Sequence, residues 1–424
     1  MKKMTALFAT AALAASTVFA PLSASAQEKT KVTFWHAMNG PHQEELAKMV
    51  EKFNSSQDKY EVVEQSQGDY AALSQKVLGS AVSGELPTMS QLTASNIPDY
   101  ASEGLLAPLD DLLTEENGFT PELTEDIYEG FLAGVKFEDQ QVAMPFSKSV
   151  RLMFVNKDLL EEAGFTEVPK TWEEVKALGE ALDKAGSEKP AMGLENGFSM
   201  EVETMAKQAG AQWIADDLSA TDIAGDKSVE VMQFLQDLIK EEHARTAGED
   251  GYMSEPFAQG ESALYIGSSA GLPFVLPGVE ESGMNFETAE IPVYGEGDPL
   301  TLFAGNDLGV FESASEEEKA GAVAFMAFLL EADNTAEWAS KTGYLPITKS
   351  GAESQIWKDY VKENPYIEAA TKELEYGKSQ VPYAGFGEVF TEFNTKIEEM
   401  ILNDADVKES MQAIEDLVKG HLGL

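Results

Sequence analysis

Three short stretches of this chain carry residues able to hold or transform a small molecule. Gly267-Ser268-Ser269-Ala270-Gly271 sets two hydroxyls in a run of small residues, where backbone can approach a bound molecule closely. Thr33-Phe34-Trp35-His36 and Lys341-Thr342-Gly343-Tyr344-Leu345-Pro346-Ile347-Thr348 place aromatic rings beside hydroxyl and ammonium groups. That mixture suits stacking on a polar ligand and hydrogen bonding its edge. Lys148 and Arg151 lie three residues apart in a chain with two arginines, and alternation along an extended segment turns them to opposite faces. Catalytic patterns are weaker. Glycoside hydrolysis needs two carboxylates flanking a sugar site, and among 74 acidic residues no segment isolates such a pair. His36 and His42 flank a proline-containing loop without further ligand-spaced partners, so no metal site is expected, and no cofactor motif is present.

Composition bounds the setting. Lys2 and Lys3 precede an apolar run over 5–20, and Ala24-Ser25-Ala26 lies just before Gln27, so residues 1–26 read as a cleaved secretory signal peptide. No later segment has the ~20 uninterrupted apolar residues of a membrane span. With no cysteine, the chain has neither disulfides nor a thiol for lipid anchoring, which predicts a free periplasmic protein. A net charge of −44 disfavours nucleic acid and anionic lipid as partners. The acidic residues read as a solvated coat. About 400 mature residues exceed what one core serves, so two lobes are expected.

The elements that must position these groups follow an α/β rhythm. A β-rich run at 32–35 leads through Pro41 into Leu46, Met49, Val50 and Phe53 at helical spacing. A strand at 60–63, a helix carrying Leu73 and Val77, and a strand at 89–93 follow. This βαβαβ order predicts a mainly parallel sheet flanked by helices, with ligands beyond the carboxyl ends of its strands. Extended runs at 141–146 and 152–155 flank Ser147-Lys148-Ser149 and read as a passage between lobes. Thr171-Trp172-Glu173-Glu174 and Ser315-Glu316-Glu317-Glu318 are capping boxes, the second before a helix apolar almost all round.

Together these residues resemble the family 1 extracellular solute-binding proteins of ABC importers, and most of all their periplasmic glycerol-3-phosphate-binding branch, relatives of the maltose-binding proteins. The resemblance rests on Phe34-Trp35-His36, Gly68-Asp69-Tyr70, residues 144–149, Asn156-Lys157-Asp158, Pro169-Lys170-Thr171-Trp172, Gly267-Ser268-Ser269, Glu337-Trp338 and residues 341–348. It implies a type II periplasmic binding protein fold: a lobe of 27–149 and 293–343, a second of 150–292 and 344–424, and a ligand in the cleft between them. It implies a small-molecule solute and the permease subunits of an importer as partners, a monomer, and no chemistry on the ligand. A secreted carbohydrate-active hydrolase is the alternative.

Carried over by position, the family's ligand contacts fall on Tyr70, Ser149, Ser268, Gly305 and Tyr344. Trp35, Thr93, Lys148, Phe198, Ser269 and Asn306 form a second set, Phe198 standing where relatives place an aromatic platform. For several of these a plainer role competes: half-buried aromatic for the tyrosines, helix cap for the serines, core ring for Trp35. Two family contacts are missing. Ala94 occupies the place of a cleft glutamate, and the phosphate-pairing arginine falls near Phe393, with Lys396 the nearest cation. A lysine does not reproduce arginine's paired hydrogen bonds to phosphate, so a sugar or polyol is as well supported as glycerol 3-phosphate or a glycerophosphodiester. For an anionic ligand, Lys148 and Arg151 are the expected counter-charges.

Overall fold

The computed structural model describes residues 28–424; the expected signal peptide lies outside them. No helix among the described residues is long and apolar enough to cross a membrane. Two five-stranded sheets organise the chain. The first runs in the order Tyr60–Ser66, Thr30–His36, Met89–Leu92, Ala304–Val310, Met144–Ser149. The second runs Phe286–Ala289, Arg151–Asn156, Leu264–Ser268, Met192–Leu194, Ala244–Thr246.

The expected βαβαβ start is present, and its two pairings are parallel. The sheets as wholes are mixed rather than mainly parallel. Ala304–Val310 enters the first sheet antiparallel to both neighbours, and Arg151–Asn156 does the same in the second. The physical reason is the route of the chain: both strands arrive from the other lobe, not through a helical crossover, so nothing forces them parallel.

Local signals act as the residues dictate. Thr171 and Ser315 each accept from the backbone three residues on while Glu174 and Glu318 reach back, closing both capping boxes. Gly186 and Gly343 end their helices in the left-handed region at φ 80° and 74°. Helix Glu316–Leu330 buries Val323, Phe325, Met326 and Leu330 against strand Thr30–His36, where Phe325 meets Phe34 edge-on at 6.2 Å. The largest hydrophobic cluster runs from the first sheet through Phe146, Val150 and Leu152 to Phe154 of the second. A separate cluster fills the second lobe, around Trp172, Leu235 and Ile266.

The chain passes between the sheets at Val150, again over 290–303, and near Tyr344. The second passage is pinned by Glu373, whose carboxylate accepts from Ile291 N–H at 2.8 Å. After Tyr344 the chain does not leave the first lobe at once. Ile347 accepts from Tyr128 N–H at 3.2 Å, Ser350 N–H donates to Asp126 at 3.0 Å, and helices Lys349–Ala352 and Gln355–Glu363 pack on helix Ala332–Thr342. Helices Phe386–Leu402 and Val407–Leu422 then cover helix Asp226–Lys240 of the second lobe.

Candidate ligand-binding site

The first and third passages meet in one small volume. Strand Met144–Ser149 ends, Val150 bridges, and Arg151 opens the next strand. Lys148 C=O accepts from Leu345 N–H at 2.8 Å, and Val150 C=O accepts from Ser269 N–H at 3.0 Å. Ser268 donates its hydroxyl to Ser149 Oγ at 2.9 Å and accepts from Ala270 N–H, so it both caps and contacts. Close approach demands glycine twice. A Cβ on Gly305, at φ +102°, would lie 1.8 Å from Ser147 C=O, and one on Gly343 would lie 2.6 Å from Ser269 C=O. Ser149, Ser268, Gly305 and Tyr344 therefore sit around a single junction.

Tyr70 opens helix Tyr70–Ser83 after its Asp69 cap. Its hydroxyl accepts from Asn306 Nδ2 at 2.8 Å; Asn306 Oδ1 accepts from Gln91 Nε2 at 3.0 Å, and Gln91 Oε1 from Ala37 N–H at 2.8 Å. This relay ties the phenol to the ends of three strands of the first sheet. Tyr344 is held by stacking: its ring lies 6.1 Å from Trp338 at 8°, and Trp338 lies 4.9 Å from Phe146 at 25°. Burial pushes the Tyr70 phenol up to about 12, and burial together with the Tyr70 hydroxyl raises the Tyr344 phenol well above its ordinary range. Both stay neutral, so each phenol offers a donor as well as an acceptor.

The cations expected to meet an anion are already engaged. Lys148 is buried and bonded to Asp307 at 2.6 Å, and Arg151 is buried and bonded to Glu201 at 2.6 Å while donating to Ile266 C=O at 3.3 Å. Neither presents free charge to a ligand. Lys396 is bound by Glu399 at 2.8 Å, and Phe393 is a core ring against Trp213.

Three other expected contacts serve as framework. Phe198, expected as an aromatic platform, is 1% exposed and packed in the second lobe's core, because the helix it precedes buries Val202, Met205 and Ala206 there. Trp35 packs in a satellite cluster, donates to Gln65 Oε1 at 3.0 Å and carries Lys76 above its ring. Thr93 hydrogen-bonds Asn96 and Ser95 at the start of helix Asn96–Ser102. Ser269 is fully buried, its hydroxyl without a protein partner.

The second lobe contributes groups that sequence reasoning missed. Glu195, at the end of strand Met192–Leu194, is partly exposed, accepts from Met253 N–H at 3.0 Å and from the Tyr265 hydroxyl, and is raised above the usual carboxylate range by burial. The phenol of Tyr252 is raised above its usual range by partial burial and then by the negative charges of Glu195 in the second lobe and of Asp69, the residue before Tyr70 in the first. A lone tyrosine in a Gly/Asp-rich loop gives no sequence signal of this. An aromatic cavity lined by Trp213, Tyr383, Phe386 and Phe390 lies further along the second lobe.

Comparison with known proteins matches this arrangement. Residues 48–365 fit the family model described as bacterial extracellular solute-binding protein. The sn-glycerol-3-phosphate-binding periplasmic protein UgpB of Rhizobium meliloti (strain 1021) is 26% identical over 407 residues, covering 91% of this chain and 92% of the relative. Its namesake from Brucella suis biovar 1 (strain 1330) is 26% identical over 433 residues, covering 96% of each. The crystal structure of UgpB from Mycobacterium tuberculosis in complex with glycerophosphocholine superposes with a TM-score of 0.83 at 23% identity, over 93% of this chain and 99% of that one. A cyclic alpha-maltosyl-1,6-maltose binding protein from Arthrobacter globiformis gives 0.77 at 25% identity, over 93% and 99%. With two α/β lobes meeting at a polar, aromatic junction and three-quarters of its length inside the family model, this chain belongs to the bacterial extracellular solute-binding proteins.

Proposed function

We propose that the protein captures a hydroxyl-rich solute with no net charge, a sugar, polyol or glycerophosphodiester zwitterion, and delivers it to the permease of an ABC importer. The observation that carries the choice of solute is the pairing of Lys148 with Asp307 and of Arg151 with Glu201. A phosphomonoester entering this junction would meet carboxylates and phenols but no unpaired cation among the described groups there, and desolvating its charge would go uncompensated. Neutral hydroxyls fit the donors and acceptors of Tyr70, Tyr344, Ser149 and Ser268. The protein acts as a monomer in the periplasm after loss of residues 1–26, needs no cofactor, leaves the solute chemically unchanged, and engages neither nucleic acid nor the bilayer interior. The family match supports capture over the hydrolase alternative, and Glu195 and Glu201 are both engaged by protein partners.

Capture proceeds by closure of the two lobes on the solute, which shields its hydrogen bonds from water and presents both lobe surfaces to the permease in one arrangement. A thermal-shift screen of residues 27–424 with glycerol 3-phosphate, glycerophosphodiesters, polyols and oligosaccharides tests this. A solute at a hundredfold excess over its Kd adds about 2.7 kcal/mol. Stabilisation by an uncharged or zwitterionic class is expected; stabilisation by glycerol 3-phosphate alone would overturn the choice of solute. Tyr344→Ala should weaken calorimetric affinity for the hit at least about tenfold, about 1.4 kcal/mol, and an unchanged Kd would remove Tyr344 from the site.

A further inference from the structure

Helix Phe386–Leu402 begins without a cap of its own. Its N-cap is Gly385, at φ 91°, which has no side chain to accept from the first-turn N–H groups. Those groups are satisfied from elsewhere: Asp99 Oδ1 accepts from Gly385 N–H at 2.6 Å, and Asp99 Oδ2 from Gly387 N–H at 3.0 Å. Asp99 lies on helix Asn96–Ser102, which follows strand Met89–Leu92 of the first sheet. The helix it caps packs on Ser199–Gln208 and Asp226–Lys240 of the second lobe. Cap and helix therefore belong to opposite lobes, 286 residues apart in sequence.

The fit is close on both sides. A Cβ on Gly387 would lie 2.5 Å from Asp99 Oδ2 and 3.3 Å from Ser95 C=O, so only glycine lets the carboxylate reach the backbone. A Cβ on Gly385 would lie 2.1 Å from the His421 ring, which bonds Glu388 at 3.2 Å. Ala94, three residues before Ile97, packs against the second lobe's hydrophobic cluster beside the same contact. Asp99 is half-exposed, so this contact lies at the edge of the interface, where lobe separation would hand its donors to water.

We infer that Asp99 is an interlobe latch: a helix cap supplied in trans that forms only when the lobes close, and so positions the closed state. The inference rests on the reading that lobe closure accompanies solute capture, but its test needs no solute. The chain has no cysteine, so a single pair introduced at Val82 and Leu402, which are 92% and 77% exposed on the first and second lobes, reports the lobe separation by double electron–electron resonance. In the parent pair the short-distance population should dominate to the extent that the latch is formed. Asp99→Ala and Gly387→Ala should each lower the ratio of short- to long-distance populations about tenfold, the effect of losing an ordinary helix cap. Gly387→Ala is the discriminating variant, because it keeps the carboxylate and improves helix propensity while denying the approach. Circular dichroism melting of each variant confirms that both lobes stay folded. Distance distributions unchanged in both variants would overturn the latch. A failed solute screen with shifted distances would instead count against the proposed solute and leave the latch standing.

Discussion

Replacing Lys148 with methionine should cost about 3–5 kcal/mol of unfolding free energy, among the largest single-site losses expected in this protein. Lys148 and Asp307 lie on adjacent strands of the first sheet, both almost wholly buried, 2.6 Å apart. Burial alone raises Asp307 above the usual carboxylate range, and the lysine is what counters it. Without the lysine, Asp307 must either remain an unpaired buried charge or take up a proton, and both penalise the native state. Urea unfolding of Lys148→Met, Asp307→Asn and the double variant forms a cycle that isolates the pair. The double variant should be more stable than Lys148→Met alone, since the orphaned charge has gone. A loss below about 1 kcal/mol for Lys148→Met would show that the pair is solvated in solution, and would return Lys148 to the list of cations open to a ligand.

Glu373→Gln should stabilise the protein at pH 8 while changing little at pH 5. The Glu373 carboxyl is fully buried, accepts from Ile291 N–H beneath the second passage, and is pushed by burial from 4.5 up to about 8. The native state therefore holds a proton that the unfolded chain releases near its ordinary value. Between those values native protein binds more protons than unfolded protein, so stability is fully present below about pH 4.5 and drains away as pH rises to about 8. The loss is of order 3–5 kcal/mol. Glutamine keeps an acceptor for Ile291 and cannot ionise. Melting curves from pH 5 to 8.5 should show the parent falling by roughly 5 °C more than the variant. Parallel curves would mean that Glu373 ionises normally and that the carboxylate is reached by water.

Local chemistry was legible in the sequence wherever one element decides its own form. Thr171 and Ser315 with their glutamates announced two helix starts, and the runs around Ser147-Lys148-Ser149 the first passage. The resemblance also brought Tyr70, Ser149, Ser268, Gly305 and Tyr344 forward, and the fold gathers Ser149, Ser268, Gly305 and Tyr344 about one junction, with Tyr70 tied to it through Asn306. What stayed hidden depends on partners far along the chain. Lys148 finds Asp307 159 residues away and Arg151 finds Glu201 50 residues away, and no local pattern reveals that either charge is spent. Phe198 looks like any aromatic in a polar loop until the helix after it turns inward. Tyr252 feels the charges of Glu195 and Asp69 together only because the two lobes bring those distant residues near it.

Strand Ala304–Val310 lies between Met89–Leu92 and Met144–Ser149, so the first sheet is missing an inner member until more than 300 residues have emerged. Nothing made before then can seal that lobe's core. In a chain proposed to be carried out of the cell interior by its N-terminal leader, late delivery of an inner strand acts as a timer. It keeps the emerging polypeptide unable to reach its final shape, and thus threadable, for most of its synthesis, and it makes that shape attainable at once when the last third arrives.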